Sequence, residues 1–291
     1  MNQASHDSHD GASQFLMSVH DAAPGITENV LIHGRIADGR SSYELLADEA
    51  DLRPGMTAVD LACGSGALTR LISQRVGMSG QAVGIDLNHA ELALAEIRCK
   101  DHGNVRFLEE SAAALSLPDA SADAVLCHMA LMLFRPVEPS LSEIARILRP
   151  SGILAAVVPG LNGGNAVFSA VRKAVAAAVA NDVAPEKLVA IGCPDFGSEQ
   201  GIRDLFARSG RFVDKMRFVD FEVVFEETPE ALAALLMPFF YYTYLLSADG
   251  REQLKAAWSD IFRRTMADND EKAVFRLSLS AFSVRKNPTK G

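Results

Sequence analysis

The chain has no dense run of lysine and arginine. Its 28 Lys and Arg stand against 37 Asp and Glu, for a net charge of -9, and the basic residues are scattered. The electrostatic footprint that holds a nucleic-acid backbone or an anionic lipid surface is therefore missing. Cysteine is sparse too: Cys63, Cys99, Cys127 and Cys193 lie far apart, with no C-x-x-C pair and no histidines at zinc spacing. Neither a disulfide framework nor a structural metal is expected. No apolar run reaches the length of a membrane span, and the opening "MNQASHDSHDGASQ" has neither the basic region nor the apolar stretch of a secretory leader. These absences predict a cytoplasmic protein with reduced thiols, no metal, no membrane and no nucleic-acid partner. His6, His9 and the aspartates beside them are ligand-type residues, but a short polar terminus reads as a disordered tail over 1–14.

What is present is ample apolar material, 48% of 291 residues, which suits one α/β domain over 15–291 with sizeable additions. Residues 15–53 read as a helical cap, with Tyr43, Leu45 and Leu46 sharing a face of "SSYELLADEA" ahead of the turn at Arg53 to Gly55. From 54 to 160, strands near 56–62, 81–87, 104–110, 122–128 and 152–158 alternate with amphipathic segments, the rhythm of a doubly wound parallel sheet. One of these segments, "LFRPVEPSLSEIARILRP", predicts a helix with Arg135, Glu138 and Glu143 in solvent. Residues 161–291 depart from the rhythm. Helices near 164–181 and 198–209, a long strand "RFVDKMRFVDFEVVF", an aromatic-rich helix "ALAALLMPFFYYTYLL", a charged helix "REQLKAAWSDIFRRTMAD" and a last strand "AVFRLSLSAFSVRK" follow in turn. Two strands after the fifth suggest an antiparallel edge, with the helices as lid insertions.

The stretch "VDLACGSGALTRL" passes from an apolar strand through a glycine turn into a helix. The missing side chains of Gly64 and Gly66 would let backbone approach a ligand at the helix N-terminus. A dinucleotide fingerprint would place Gly or Ala at the sixth position, which here is Thr69. Asp60 lies in the first strand and can receive a charged amino group. Asp86, closing the second strand in "AVGIDLN", can accept both hydroxyls of a ribose. Two carboxylates flanking such a turn suit a cationic ligand without phosphates, and S-adenosylmethionine is one. As plainer readings, Asp60 could bond backbone in the turn and Asp86 could cap the helix starting near His89.

With "VGIDLN" (83 to 88), "LEESAAALSLPDASADAVLCHMAL" (108 to 131) and "EIARILRPSGILAAV" (143 to 157), "VDLACGSG" (59 to 66) resembles the class I S-adenosylmethionine-dependent methyltransferases, small-molecule type with a ubiquinone/menaquinone-methyltransferase-like core. The resemblance covers about 54 to 158. It implies a Rossmann-like seven-stranded sheet whose last strand is antiparallel. It also implies S-adenosylmethionine as cofactor, with Asp60, Cys63, Gly64 and Gly66 around the methionine part and Asp86 with Leu87 at the ribose and adenine. Where such proteins usually place Asp against the adenine amine, this chain has Ser111 after Glu109 and Glu110. Ser111 and the backbone of Ala112, or else Glu110, would take that contact, or the contact is weaker. Cys127 joins the cofactor-binding set by position, although it and Cys63 read as small packing residues at adjacent strand ends.

Methyl transfer from a sulfonium is an in-line displacement in which the protein chiefly aligns reactants and excludes water. The parts outside the common core would then encode the acceptor. Phe239 and Tyr242 in the aromatic segment, with Phe168 and His33, are the candidate acceptor-pocket residues. His128, after Cys127 at the end of the fourth strand, is the candidate catalytic base, its ordinary pKa of about 6.5 suiting neutral pH. The expected function is an N- or O-methyltransferase acting on a small aromatic or heteroaromatic metabolite. The alternatives are a cofactor-binding regulatory or scaffold protein without transfer activity and a nicotinamide-dependent oxidoreductase. Oligomeric state stays open.

Overall fold

The computed structural model describes residues 3–266 and 271–288, apart from the side chains of residues 3–10 and 214. In chain order the elements are α1 (Gln3–Ala22), α2 (Ile26–Leu31), α3 (Ser42–Glu49), β1 (Thr57–Leu61), α4 (Ala67–Val76), β2 (Gln81–Asp86), α5 (His89–Cys99), β3 (Val105–Glu109), β4 (Ala122–His128), α6 (Glu138–Ile147), β5 (Leu148–Pro159), α7 (Ala166–Asp182), α8 (Glu199–Ser209), β6 (Phe212–Glu227), α9 (Pro229–Leu236), α10 (Ala248–Arg263) and β7 (Ala273–Lys286). The chain divides into two compact units, one drawn from 1–41, 163–190 and 222–278, the other from 42–162, 191–221 and 279–291. This differs from the expected single domain with a break at 160, because residues 191–221 and 279–291 return to the unit that holds the early strands.

Seven strands form one sheet in the order β3-β2-β1-β4-β5-β7-β6, with β3 through β5 parallel and β7 antiparallel to β5. The doubly wound, Rossmann-like sheet with an antiparallel last strand is thus present. Side chains alternate across a strand. Val59 and Leu61, Val83 and Ile85, Val125 and Cys127, and Leu154 and Ala156 join Leu141 and Ile144 of α6 and Leu205 and Phe206 of α8 in one buried cluster. The intervening residues, among them Asp60, Gly84, Leu126 and His128, therefore point to the opposite face, on which α3 and α4 pack.

The other unit is mainly helical. α7, α9 and α10 pack together, and Trp258, fully buried, donates its indole N–H to the Val171 carbonyl at 3.3 Å. Residues 3–14 of the expected tail belong to α1, in which Ala12 and Val19 are buried, and residues 1 and 2 lie outside the described residues. A helix ordered by apolar residues in its second half extends into the polar stretch at low cost, since propagation adds one bond per residue fixed. His6 and His9 lie outside the described side chains; among the described residues no group of three or more His, Cys, Asp or Glu could hold a metal. The aromatic-rich segment is not one helix. α9 ends at Leu236, and two 3-10 turns follow (Met237–Phe239 and Tyr241–Leu245), because Pro238 lacks the N–H that would continue an α-helix.

Candidate functional site

The order β2-β1-β4 places the reversal of strand order between β1 and β4, and in open α/β sheets the crevice at the carboxyl ends of those strands is where ligands bind. Asp60 pairs in register with Gly84 on one side and Leu126 on the other. The turn after β1 is built from left-handed residues: Ala62 (φ 56°), Gly64 (φ 50°) and Gly66 (φ 82°). Gly66 is needed for more than backbone approach. A Cβ there would lie 2.9 Å from the Ala95 Cβ of α5, so Gly66 also allows the turn to pack closely on that helix. Thr69 is fully buried and donates its hydroxyl to Asp60 Oδ2 at 2.7 Å. Asp60 is 1% exposed, and this bond makes the carboxylate part of the turn's own scaffold.

Asp86 closes the same turn from β2. Its Oδ2 accepts the Gly64 N–H at 2.8 Å and its Oδ1 the Asn88 N–H at 2.9 Å. The capping alternative fails for Asp86, since the cap of α5 is Asn88, whose side chain accepts the Glu91 N–H. A carboxylate offers roughly four acceptor sites, so Asp86, half-buried at the strand tip, keeps capacity for hydroxyl donors of a ligand. Leu87 beside it is 53% exposed, an apolar side chain left uncovered next to a carboxylate. These residues fit a nucleoside, with a carboxylate for ribose hydroxyls and an apolar side chain for the flat face of a base.

On β3, Glu109 pairs with His89 at 3.0 Å, and one oxygen of Glu110 accepts the Ser116 N–H at 3.0 Å. Ser111 is exposed, and its hydroxyl receives the Ala113 N–H at 3.3 Å; Ala112 is half-buried against the apolar cluster. Glu110 and Ser111 are thus each engaged by a backbone N–H of the loop after β3. Cys63 is 4% exposed, and a Cβ on Gly84 would come within 3.0 Å of its sulfur. Cys127 is fully enclosed in the apolar cluster, where burial and the nearby Asp60 push its thiol pKa up. Both side chains are buried among their neighbours.

His128 is also buried, at 8% exposure. Its Nε2 lies 2.9 Å from the Ser42 hydroxyl, and the Tyr43 ring stacks on the imidazole with centroids 4.1 Å apart. Desolvation pushes its pKa down to about 3. This corrects the expectation of a base titrating near neutrality: the imidazole is neutral throughout the physiological range and is too weak a base for the role set by its ordinary pKa. Among the described residues, its Nδ1 is a buried polar atom without a hydrogen-bond partner.

The four acceptor-pocket candidates all belong to the other unit. His33 is exposed after α2. Phe168 lies 6.5 Å from Phe240 and 6.3 Å from Phe275, and Phe239 meets Phe240 edge to face at 5.9 Å. Tyr242 donates its hydroxyl to the Val189 carbonyl at 2.7 Å and stacks with Phe15. That donor is committed to packing instead of orienting a ligand. The structure therefore joins Asp60, Gly64, Gly66, Asp86 and His128 within one unit, with the acceptor candidates in another. Thr69, Ser42 and Tyr43 were missed as site residues. Thr69 appeared only as a departure from a fingerprint, and a serine and a tyrosine in a distant helix carry no sequence signal linking them to His128.

A seven-stranded sheet with an antiparallel last strand, a glycine turn after β1 and a carboxylate closing β2 define the core of a class I methyltransferase. Residues 59–156 match the family model described as "Methyltransferase domain", and this segment is a class I S-adenosylmethionine-dependent methyltransferase core similar to ubiquinone/menaquinone methyltransferases. It is 36% identical over 110 residues to the ubiquinone/menaquinone biosynthesis C-methyltransferase of Hahella chejuensis, covering 37% of this chain and 44% of that one. It is 33% identical over 109 residues to the 2-phytyl-1,4-naphtoquinone methyltransferase of Thermosynechococcus vestitus, covering 38% and 48%. The matched segments thus span less than half of either relative. Among solved structures, the [4+2]-cyclase SpnF superposes with a TM-score of 0.51 at 19% identity, covering 96% of this chain and 93% of that one. That likeness is one of fold. Among the described residues no helix is long and apolar enough to cross a membrane.

Proposed function

We propose that this protein transfers a methyl group from S-adenosylmethionine to a small aromatic or quinone-like ring. The observation that carries the reading is Asp86: it closes the glycine turn through Gly64 and still offers acceptor capacity to a ribose, beside an uncovered Leu87. S-adenosylmethionine, when bound, supplies a methyl group already activated by the sulfonium sulfur. The protein's share is then to hold the cofactor at the β1 and β2 tips, align the acceptor and exclude water. The expected N- or O-transfer is widened to include a ring carbon, because one of the similar proteins is named a C-methyltransferase and both names refer to quinones. A 1,4-naphthohydroquinone is the first acceptor to try.

A second reading, cofactor binding without methyl transfer, has support in the SpnF likeness, since the same fold houses a cyclase. Calorimetry with S-adenosylhomocysteine and NAD, followed by mass spectrometry of 1,4-naphthohydroquinone incubated with methyl-labelled donor, separates the readings. Binding of S-adenosylhomocysteine but not NAD, with a labelled product, is expected. Binding without product from any metabolite would favour the second reading, and tighter binding of NAD would overturn both.

A further inference from the structure

The β4 end of the crevice holds a side-chain arrangement that the cofactor residues do not use. Asp60 and Asp86 stand on β1 and β2, and Ser111 follows β3, all on one side of the point where strand order reverses. His128 closes β4 on the other side. It pairs with Val157 of β5 and stands two residues beyond Leu126, the register partner of Asp60. Alternation puts Asp60, Leu126 and His128 on the same face of the sheet. In a doubly wound sheet the two halves flank one ligand crevice, so His128 lies where the half that does not hold the nucleoside meets it.

The imidazole is held from two directions. Ser42 and Tyr43 are consecutive residues in the first turn of α3; the Ser42 hydroxyl engages Nε2 at 2.9 Å and the Tyr43 ring covers the imidazole at 4.1 Å between centroids. A serine hydroxyl both donates and accepts, so it satisfies Nε2 in either tautomer of a neutral ring. Nδ1 is left buried without a partner among the described residues, and a buried polar nitrogen in that state is destabilising until something bonds to it. The ring is held through Nε2, and Nδ1 is the imidazole nitrogen whose bonding capacity is unused among the described residues.

Resting on the proposed methyl transfer, we infer that Ser42 and Tyr43 are positioning residues that hold His128, whose Nδ1 hydrogen-bonds a ring oxygen of the methyl acceptor. A neutral imidazole can accept from a hydroxyl or, in the other tautomer, donate to its ionised form, and the Ser42 hydroxyl reverses its own role to match. The pair therefore orients the acceptor in either protonation state without taking a net charge into the core.

The test uses the full chain with 15N-labelled histidine and two probes, S-adenosylhomocysteine and 1,4-naphthohydroquinone kept anaerobic. The His128 signals, assigned with His128→Gln, should show a neutral ring at pH 7. Nδ1 should shift on adding the naphthohydroquinone to the S-adenosylhomocysteine-saturated protein and stay put with S-adenosylhomocysteine alone. Ser42→Ala and Tyr43→Leu should each weaken naphthohydroquinone binding about tenfold with S-adenosylhomocysteine affinity unchanged, and Tyr43→Phe, which keeps the ring, should restore it. If S-adenosylhomocysteine binds and the naphthohydroquinone leaves Nδ1 unmoved, or if S-adenosylhomocysteine alone moves it, the inference is overturned while the cofactor reading stands. If S-adenosylhomocysteine itself fails to bind, both fall. Should Tyr43→Leu not fold, Ser42→Ala and the Nδ1 shift decide the matter.

Discussion

The hydroxyl of Thr69 donates to Oδ2 of Asp60 across 2.7 Å, with both side chains buried. A residue of the helix after the glycine turn thereby holds the carboxylate of the strand before it. Thr69→Val keeps the shape and removes the donor, leaving the Asp60 carboxylate short of a partner. Stability should fall by about 1–3 kcal/mol in urea unfolding, with Thr69→Ser recovering most of the loss. A Thr69→Val protein as stable as the parent would show that this bond contributes nothing.

Asp86→Ala should weaken S-adenosylhomocysteine binding by about 2–3 kcal/mol through loss of charge-assisted bonds. It should also destabilise the unliganded protein, because the Gly64 and Asn88 N–H groups lose their acceptors. Asp86→Asn retains one oxygen acceptor and should sit between the two. Calorimetry and thermal unfolding on the same samples check both effects; unchanged affinity would remove Asp86 from the cofactor site.

Buried His128 has a folded pKa of about 3 against an unfolded value near 6.5. Between those values the unfolded chain binds the extra proton, so this contribution to stability is complete above about pH 6.5 and lost as pH falls toward 3. The slope approaches about 1.4 kcal/mol per pH unit. The stability difference between the parent and His128→Gln should therefore shrink from pH 7 to pH 4. A difference independent of pH would mean that the imidazole is not held neutral.

Glu143, expected in solvent, instead accepts the Leu115 N–H at 2.8 Å and pairs with Arg146, which itself donates to the Leu115 and Leu117 carbonyls. The Arg146 guanidinium holds the Glu143 carboxyl below its usual range. Glu143→Ala should cost about 1.5–3 kcal/mol in urea unfolding and leave S-adenosylhomocysteine affinity unchanged. Equal stability would return Glu143 to the role of a solvated surface residue.

Much of this protein was legible in its sequence, for local reasons. The span of β4, 122–128, matches its expected bounds, and β7 spans the residues of "AVFRLSLSAFSVRK", because short apolar runs between turn residues record strand burial directly. The glycine turn was legible because left-handed backbone, as at Gly64 and Gly66, favours glycine on local steric grounds. The place of Asp86 at the tip of β2 was legible because the apolar run of the strand ends there. What only the tertiary structure decided depends on neighbours far along the chain. Burial under Tyr43 and beside Ser42 turned His128 from an ordinary titrating imidazole into a neutral one. The packing of Ala95 gave Gly66 a second purpose, and Thr69 became the partner of Asp60 only when α4 docked on β1. A residue's type states which bonds it can make; desolvation and the partner brought across the fold determine which of them it makes.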